Sequence, residues 1–271
     1  MDCCYSFLLL SFFYVDYFSH CKHFLPIFDS IFVFLHHKNS TCMSERHREK
    51  RLAAWRYLLA LPRSIYFNLR HLPIHQAWRL PVLVSHKTIV HSMSGKLIIN
   101  LEKPKTGLVK IGFSTCQCSD FHHDRTKIRI KGNIMVKGRC KIGAGSSVEV
   151  AKNALLSLGD NFNLGPKSLI ICHKEITFGK DVLTSWCCTI MDTDQHRLVD
   201  EEGNCTNPDR SITVGENVWL GCNVIVTKGT HLASNTTVSA GTRVSGTFSE
   251  TMTVLSGNPA TIVRRGLKRE L

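Results

Sequence analysis

A solenoid built almost entirely of short strands is the fold class this sequence predicts, and three observations predict it. Apolar residues recur every six positions at Ile130, Val136, Ile142 and Val148, and again at Val214, Leu220, Val226, Leu232, Val238 and Val244. A glycine directly follows several of them, in Ile142-Gly143, Val214-Gly215 and Leu220-Gly221. The period is broken once, by a loop carrying Asp192-Thr193-Asp194-Gln195-His196. A short fixed period means stacked coils, each burying one flank against the next. Function is to be sought where the period is interrupted.

Residues 1–42 do not resemble the rest of the chain. They hold eight of the 14 Phe, three of the five Tyr, and two Lys against three Asp. The apolar run from Cys3 to Val15 is too short to span a bilayer, and Asp16, His20, Lys22 and Asp29 break up the stretch after it. A basic start and a small-residue cleavage site, the marks of a secretory signal, are missing. A membrane-associating segment, an unusual extension, and translation from a start placed too far upstream all fit. The favoured expectation is an atypical, disordered extension preceding a true start at Met43.

Residues 43–81 read as a helical cap. Ser44 can cap a helix whose stripe is Leu52, Trp55, Leu58 and Leu59, flanked by Arg46, Arg48, Lys50 and Arg51. Pro62 is expected to end it, because proline lacks the amide that the next turn needs. Shorter helical stretches come next, from Ser64 to about Leu72 and from His75 to Leu80. Basic amphipathic helices can lie on membranes, but a solenoid needs its open end covered, and capping is the favoured role. From Val82 to Leu271 the expectation is strand, turn, strand: Val82–Val84, Leu97–Ile99 and Leu108–Ile111, then the repeat proper.

Bulk properties narrow the partners. The formal charge of +13 over 271 residues points to anionic partners and lies downstream of residue 42. Twelve cysteines are present with no C-x-x-C spacing, which speaks against a zinc ribbon or a redox motif. They are expected to be reduced and structural, several of them filling core sites. Ile190 and Val214 lie four periods apart, yet the residues between them are largely polar. A polar run cannot line a core without partners. It must bulge outward, and long loops on rigid scaffolds usually carry function.

Ile190-Met191-Asp192-Thr193-Asp194-Gln195-His196, then Ile212-Thr213-Val214-Gly215-Glu216-Asn217-Val218-Trp219-Leu220-Gly221, then Gly257-Asn258-Pro259-Ala260, occur in that order. On these motifs the stretch 82–271 resembles the hexapeptide-repeat acyltransferases, particularly bacterial sugar and polysaccharide O-acetyltransferases. The resemblance implies a left-handed parallel β-helix, triangular in section, whose hand periodicity cannot give. It also implies a homotrimer with acetyl-CoA in the groove between subunits. The expectation is a cytoplasmic enzyme with a sugar or polysaccharide-precursor acceptor, with neither nucleic acid nor stable membrane insertion.

The same resemblance distributes roles. Acyl transfer from a thioester to a hydroxyl needs a base, a stabilised oxyanion and alignment. His196 falls where the family places its general base, a task suited to imidazole with an ordinary pKa of about 6.5. Asp192 or Asp194 could orient its ring, as the acid of a triad does. The Cys222 N–H is the candidate oxyanion donor, with Gly221 giving the pantetheine arm close access and Trp219 walling the groove. Lys228, Arg264, Arg265 and Lys268 are the nearest cations for the phosphates of CoA, and Ala240 lines the same groove. No metal is expected, because a zinc hydratase on this fold needs three imidazoles, and His173, His196 and His231 lack that spacing. A non-catalytic β-helix scaffold, or an acetyltransferase for serine or an antibiotic, remains as the alternative.

Overall fold

A computed structural model of the chain describes residues 45–120 and 123–270, with side chains from 54 onward. Expectations for residues 1–42, Met43 and Ser44 lie outside them. The chain divides into two units at Leu58/Leu59. Of the first, residues 45–58 are described and are helical, with Trp55 exposed.

The second unit is a parallel β-helix of seven three-strand coils. Its first face stacks β1 (Val82–Val84), β4 (Val109–Ile111), β7 (Cys140–Ile142), β10 (Phe162–Leu164), β13 (Leu183–Thr184), β16 (Trp219–Leu220), β19 (Thr237–Val238) and β22 (Thr253–Gly257), with β23 (Ala260–Arg265) added last. The second face stacks β2 (Ile89–Met93), β5 (Lys127–Ile130), β8 (Ser147–Val150), β11 (Leu169–Cys172), β14 (Thr189–Met191), β17 (Ile225–Val226) and β20 (Arg243–Val244). The third stacks β3 (Lys96–Ile99), β6 (Asn133–Val136), β9 (Leu155–Leu158), β12 (Glu175–Phe178), β15 (Ile212–Val214), β18 (His231–Leu232) and β21 (Thr247–Phe248). Pairing between coils is parallel, and β23 closes the last coil by running antiparallel to β22.

The hexad residues point inward. Ile142, Val148, Leu164, Ile170, Ile190, Val214, Leu220, Val226 and Leu232 are all buried in one core. The cavity within the first four coils is only about 30 Å³, so that part of the coil is filled by side chains and is not a tunnel. Cys140, Cys172 and Cys188 are buried, and burial pushes the Cys140 thiol up to about 12 and the Cys188 thiol up to about 11. The eight described cysteines are free; Cys116, Cys118, Cys187, Cys205 and Cys222 keep some exposure and so do not fill the core.

The helical cap departs from expectation. Helix α1 (Glu45–His71) runs through Pro62. The cost of an interior proline, about 3 kcal/mol, is offset because the turns beyond it are held by tertiary contacts. Ser64 Oγ accepts the Val84 N–H at 2.9 Å, and Asn68 both donates to Val82 O at 2.6 Å and accepts from Val82 N at 3.1 Å. These buried side chains satisfy the open edge of β1, which no described strand covers. The buried helical face is therefore Ala60, Ser64, Phe67 and Asn68, while Leu59 from the expected stripe is exposed. Helix α2 (Ile74–Ala77) comes next.

The repeat is also interrupted more than once. Residues 100–108, and 112–120 with 123–126, leave the coil before β4 and β5, as 194–211 do before β15. No described helix is long and apolar enough to cross a membrane.

Candidate active site

The expected site residues fall into three groups on the coil. The first lies at the corner between the second and third faces, where the chain leaves β14. Asp192 and Thr193 do not extrude with the loop; both are buried. The Asp192 carboxylate accepts three backbone N–H groups from the coil below: His173 at 2.7 Å, Lys174 at 2.9 Å and Glu175 at 2.8 Å. A buried carboxylate filled by amides is a structural pin. Its bonds are thus directed away from His196, contrary to the orienting role expected of it.

Beyond that pin the loop stands out into solvent and is clasped by polar bonds. Asp194 accepts from Lys228 Nζ at 2.6 Å and from Asn207 Nδ2 at 2.8 Å. Lys228, largely buried, also donates to Asn207 O at 2.7 Å. Asn207 Nδ2 donates to the His196 carbonyl at 2.9 Å, and its Oδ1 accepts Leu198 N at 2.6 Å. The Lys228 bond, then the Asn207 bond, holds the Asp194 carboxyl below its ordinary value. Lys228 is therefore the loop's anchor, not a free cation awaiting a phosphate. Asn207 had no expected role, although Asn207-Pro208 in the polar loop was an available signal.

His196 itself is exposed, and its ring has no hydrogen-bond partner among the described residues. It lines an open cleft of about 230 Å³ with His173, Thr193, Gln195, Arg197, Cys205, Asn207, Pro208 and Asp209. Asp194 turns to Lys228 instead of the ring, so neither aspartate orients the imidazole here. His173, expected only as a rejected zinc ligand, is the second imidazole of the cleft.

The second group lies at the corner between the first and second faces. Gly221 is buried, and a Cβ there would meet Ala240 N at 2.7 Å and Val238 O at 2.9 Å. The next coil, and not only a ligand, demands glycine. Cys222 is next in the chain, its carbonyl accepting the Gly241 N–H at 2.9 Å, while its own N–H meets no acceptor among the described residues. Ala240 stands exposed one coil further on. Trp219, on the outer side of the first face, donates Nε1 to Ser185 Oγ at 3.2 Å, and Trp186 is half-exposed at the same corner.

The third group is carried by β23 and the tail after it. Arg264 and Arg265 pair with Val254 and Thr253 at the start of β22, and Arg265 meets Glu250 at 2.8 Å. Lys268 is exposed beyond them. Arg269 donates to Asp181 O at 2.5 Å and to Asn217 Oδ1 at 3.1 Å, tying the tail to the corner between the third and first faces. One chain thus does not bring the loop, the Gly221 corner and the terminal cations together.

No family model matches the chain. An uncharacterized 24.8 kDa protein in the cps region of Klebsiella pneumoniae is 29% identical over 188 residues, covering 68% of this chain and 82% of that protein. The putative lipopolysaccharide biosynthesis O-acetyl transferase WbbJ of Escherichia coli K12 is 26% identical over 148 residues, 51% of this chain and 74% of its own length. Among solved structures, the polySia-specific acetyltransferase NeuO superposes with a TM-score of 0.57 at 20% identity, over 70% of this chain and 82% of that one. In sequence the chain is similar to a bacterial O-acetyl transferase, and in fold to the acetyltransferase NeuO. The fold is accordingly the left-handed parallel β-helix with a helical cap at its start. The candidate site thus offers an exposed imidazole in a clasped loop and a free amide at a tight coil corner.

Proposed function

We propose that this acyltransferase moves an acetyl group from acetyl-CoA to a hydroxyl of a surface polysaccharide or its precursor. The observation that carries the reading is the exposed His196 ring, standing unpaired in a cleft formed by the loop that interrupts the coil. The names borne by WbbJ and NeuO support an acetyl donor and a glycan acceptor.

In this reading a ring nitrogen of His196 takes the proton of the acceptor hydroxyl as its oxygen attacks the thioester carbonyl. The carbonyl becomes a tetrahedral oxyanion, which the Cys222 N–H stabilises because that donor is fixed in place and unpaired beforehand. Collapse breaks the carbon–sulfur bond and forms the ester. The departing thiolate takes the proton back from the imidazolium, giving free CoA thiol. The Cys222 thiol takes no part. Gly221, Cys222 and Ala240 line the path of the pantetheine arm, with Trp219 as a wall, and Arg264 and Lys268 are free to meet the phosphates. Lys228 serves that site only by holding the loop.

His196 and Cys222 sit on different corners of one coil stack. We therefore infer a homotrimer in which the loop corner of one subunit faces the Gly221 corner of the next, each groove drawing on two chains. The experiment is a thiol-release assay with acetyl-CoA and a panel of oligosaccharides and sugar nucleotides, with acetyl transfer verified by the mass of the acetylated product. Release of CoA without any acetylated glycan would overturn the reading.

A further inference from the structure

Of the formal charge of +13, residues 82–271 carry +8, with 24 Lys and Arg against 16 Asp and Glu. At the corner between the second and third faces, Lys131 stands in the second coil, Lys152 in the third and Lys174 in the fourth. The loop bearing His196 leaves that same corner in the fifth coil. Pairing fixes the stack: Ile130, Val150 and Cys172 align just before the corner, and Asn133, Leu155 and Glu175 just after it. Successive coils are about 4.8 Å apart, the spacing of hydrogen-bonded strands. The three lysines therefore occupy one corner in successive coils, Lys131 at the position of His173 and Lys152 and Lys174 one residue later, and lead to the cleft of His173, His196 and Arg197.

These lysines are uncommitted. All three are exposed, and none enters an ion pair or a side-chain hydrogen bond among the described residues. The neighbouring acids do not cancel the row. Glu149 faces Arg129 at 3.9 Å, Asp192 is buried on its amides, and Asp194 holds Lys228. Glu175 alone stands exposed directly beside Lys174. A run of like charges at short spacing repels itself in the free protein, and a bound anion relieves that repulsion. A ligand with a single charge would need one lysine. Three cations on successive coils of one corner, next to the His196 cleft, fit an extended ligand with repeated negative charge.

We propose that the acceptor is a polyanionic glycan, laid along this edge so that Lys131, Lys152 and Lys174 engage successive anionic groups and steer a hydroxyl to His196. The inference rests on the reading of the His196 cleft as the acceptor site. Each exposed pair is weak and screened by salt; the selectivity comes from three acting together. The lysines touch substrate away from the reacting atoms, so their removal raises KM and spares kcat.

The test compares three acceptor pools of matched length: a carboxylated oligouronate, a phosphodiester-linked glycan and a neutral glucan. Expected are acetylation of one or both anionic pools, loss of rate with added salt, and a KM about tenfold higher in the Lys131→Ala, Lys152→Ala, Lys174→Ala triple variant with kcat within about twofold. A control variant, Lys103→Ala, Lys105→Ala, Lys137→Ala, removes the same charge from another corner and should leave KM unchanged. Equal use of the neutral glucan, or an equal KM effect from the control, overturns the inference while leaving the acetyltransferase reading standing. Should no pool be acetylated, binding decides: a fluorescein-labelled oligouronate must bind the parent about tenfold more tightly than the triple variant, and equal binding refutes the row as a glycan track.

Discussion

The corner that carries His196 and the corner that carries Cys222 solve opposite problems with the same coil. At the first, the chain departs from the repeat, and polar bonds replace apolar packing: the buried Asp192 pins three amides, and Lys228 ties Asn207 and the exposed Asp194. At the second, the chain keeps the repeat, Gly221 admits the next coil closely, and the following amide has no protein acceptor among the described residues. One corner supplies a side chain whose position depends on a clasp, the other a backbone dipole whose position depends on the fold. On the proposed roles, a clasped base and a fixed oxyanion donor should respond differently to mutation, and that difference can be measured.

The largest effect is expected at the loop. His196→Ala should lower kcat by roughly 10²–10⁴, the worth of a positioned general base. The cleft is open and the ring is unpaired, so the thermal transition should not move. Steady-state kinetics alongside a melting curve check both halves; near-parental turnover would remove His196 from the mechanism.

At the opposite corner the change must be made in the backbone. Pro166 occupies the position in the fourth coil that Cys222 occupies in the sixth, since Asn163, Leu183 and Trp219 are in register. The corner therefore accepts proline, and Cys222→Pro deletes the N–H with little strain. A loss of roughly 10²–10³ in kcat is expected, as for removal of one oxyanion donor, while Cys222→Ala should stay within about threefold of the parent, the thiol being idle. Co-assembly of His196→Ala with Cys222→Pro chains then tests sharing. Verified mixed oligomers should recover part of the activity, and no recovery would return both elements to one chain.

The two corners were unequally legible in the sequence. The coil was readable because a hexad records burial directly, and the loop because polar residues cannot line that core. The Gly221 corner was marked only by motif, since a free amide leaves no trace in residue identity. Asp192 was misread because its partners lie 17 to 19 residues back, in the coil below. Nothing local distinguishes a carboxylate that orients a ring from one that receives amides. Pro62 misled for a related reason: the helix beyond it is held by Ser64 and Asn68 on β1, a contact distant in sequence. The departure at 112–120 and 123–126 escaped notice because the apolar period is not yet established before it.

The Asp192 pin predicts a stability effect rather than a chemical one. Asp192→Ala should leave three amide donors without acceptors at a buried site and cost about 3 kcal/mol, in the range for breaking a buried, charge-assisted network. Asp192→Asn keeps one acceptor oxygen and should lose less. Urea unfolding gives the ranking, and an Asp192→Ala protein as stable as its parent would put the aspartate back beside the imidazole.

The smallest effect concerns the clasp, and its sign follows from the Asp194 carboxyl. Lys228 and Asn207 hold that group below its ordinary value, so the folded form favours the ionised acid. Stabilisation of the loop by this pair is then fully present above the unfolded value of about 3.9 and fades as pH falls through the lower folded value. Between about pH 5 and 8 the clasp should be constant. The Asp194 side chain is 47% exposed, so the pair contributes under about 1 kcal/mol. Lys228→Met should return the Asp194 titration upward toward the ordinary carboxylate range and speed amide exchange in residues 194–210, with global stability nearly unchanged. Activity should fall modestly through a looser His196, whereas the Cys222 corner, fixed by coil packing alone, should keep its exchange rates. Equal loosening of both corners would mean that the loop and the coil are one cooperative unit, and the contrast between them would fail.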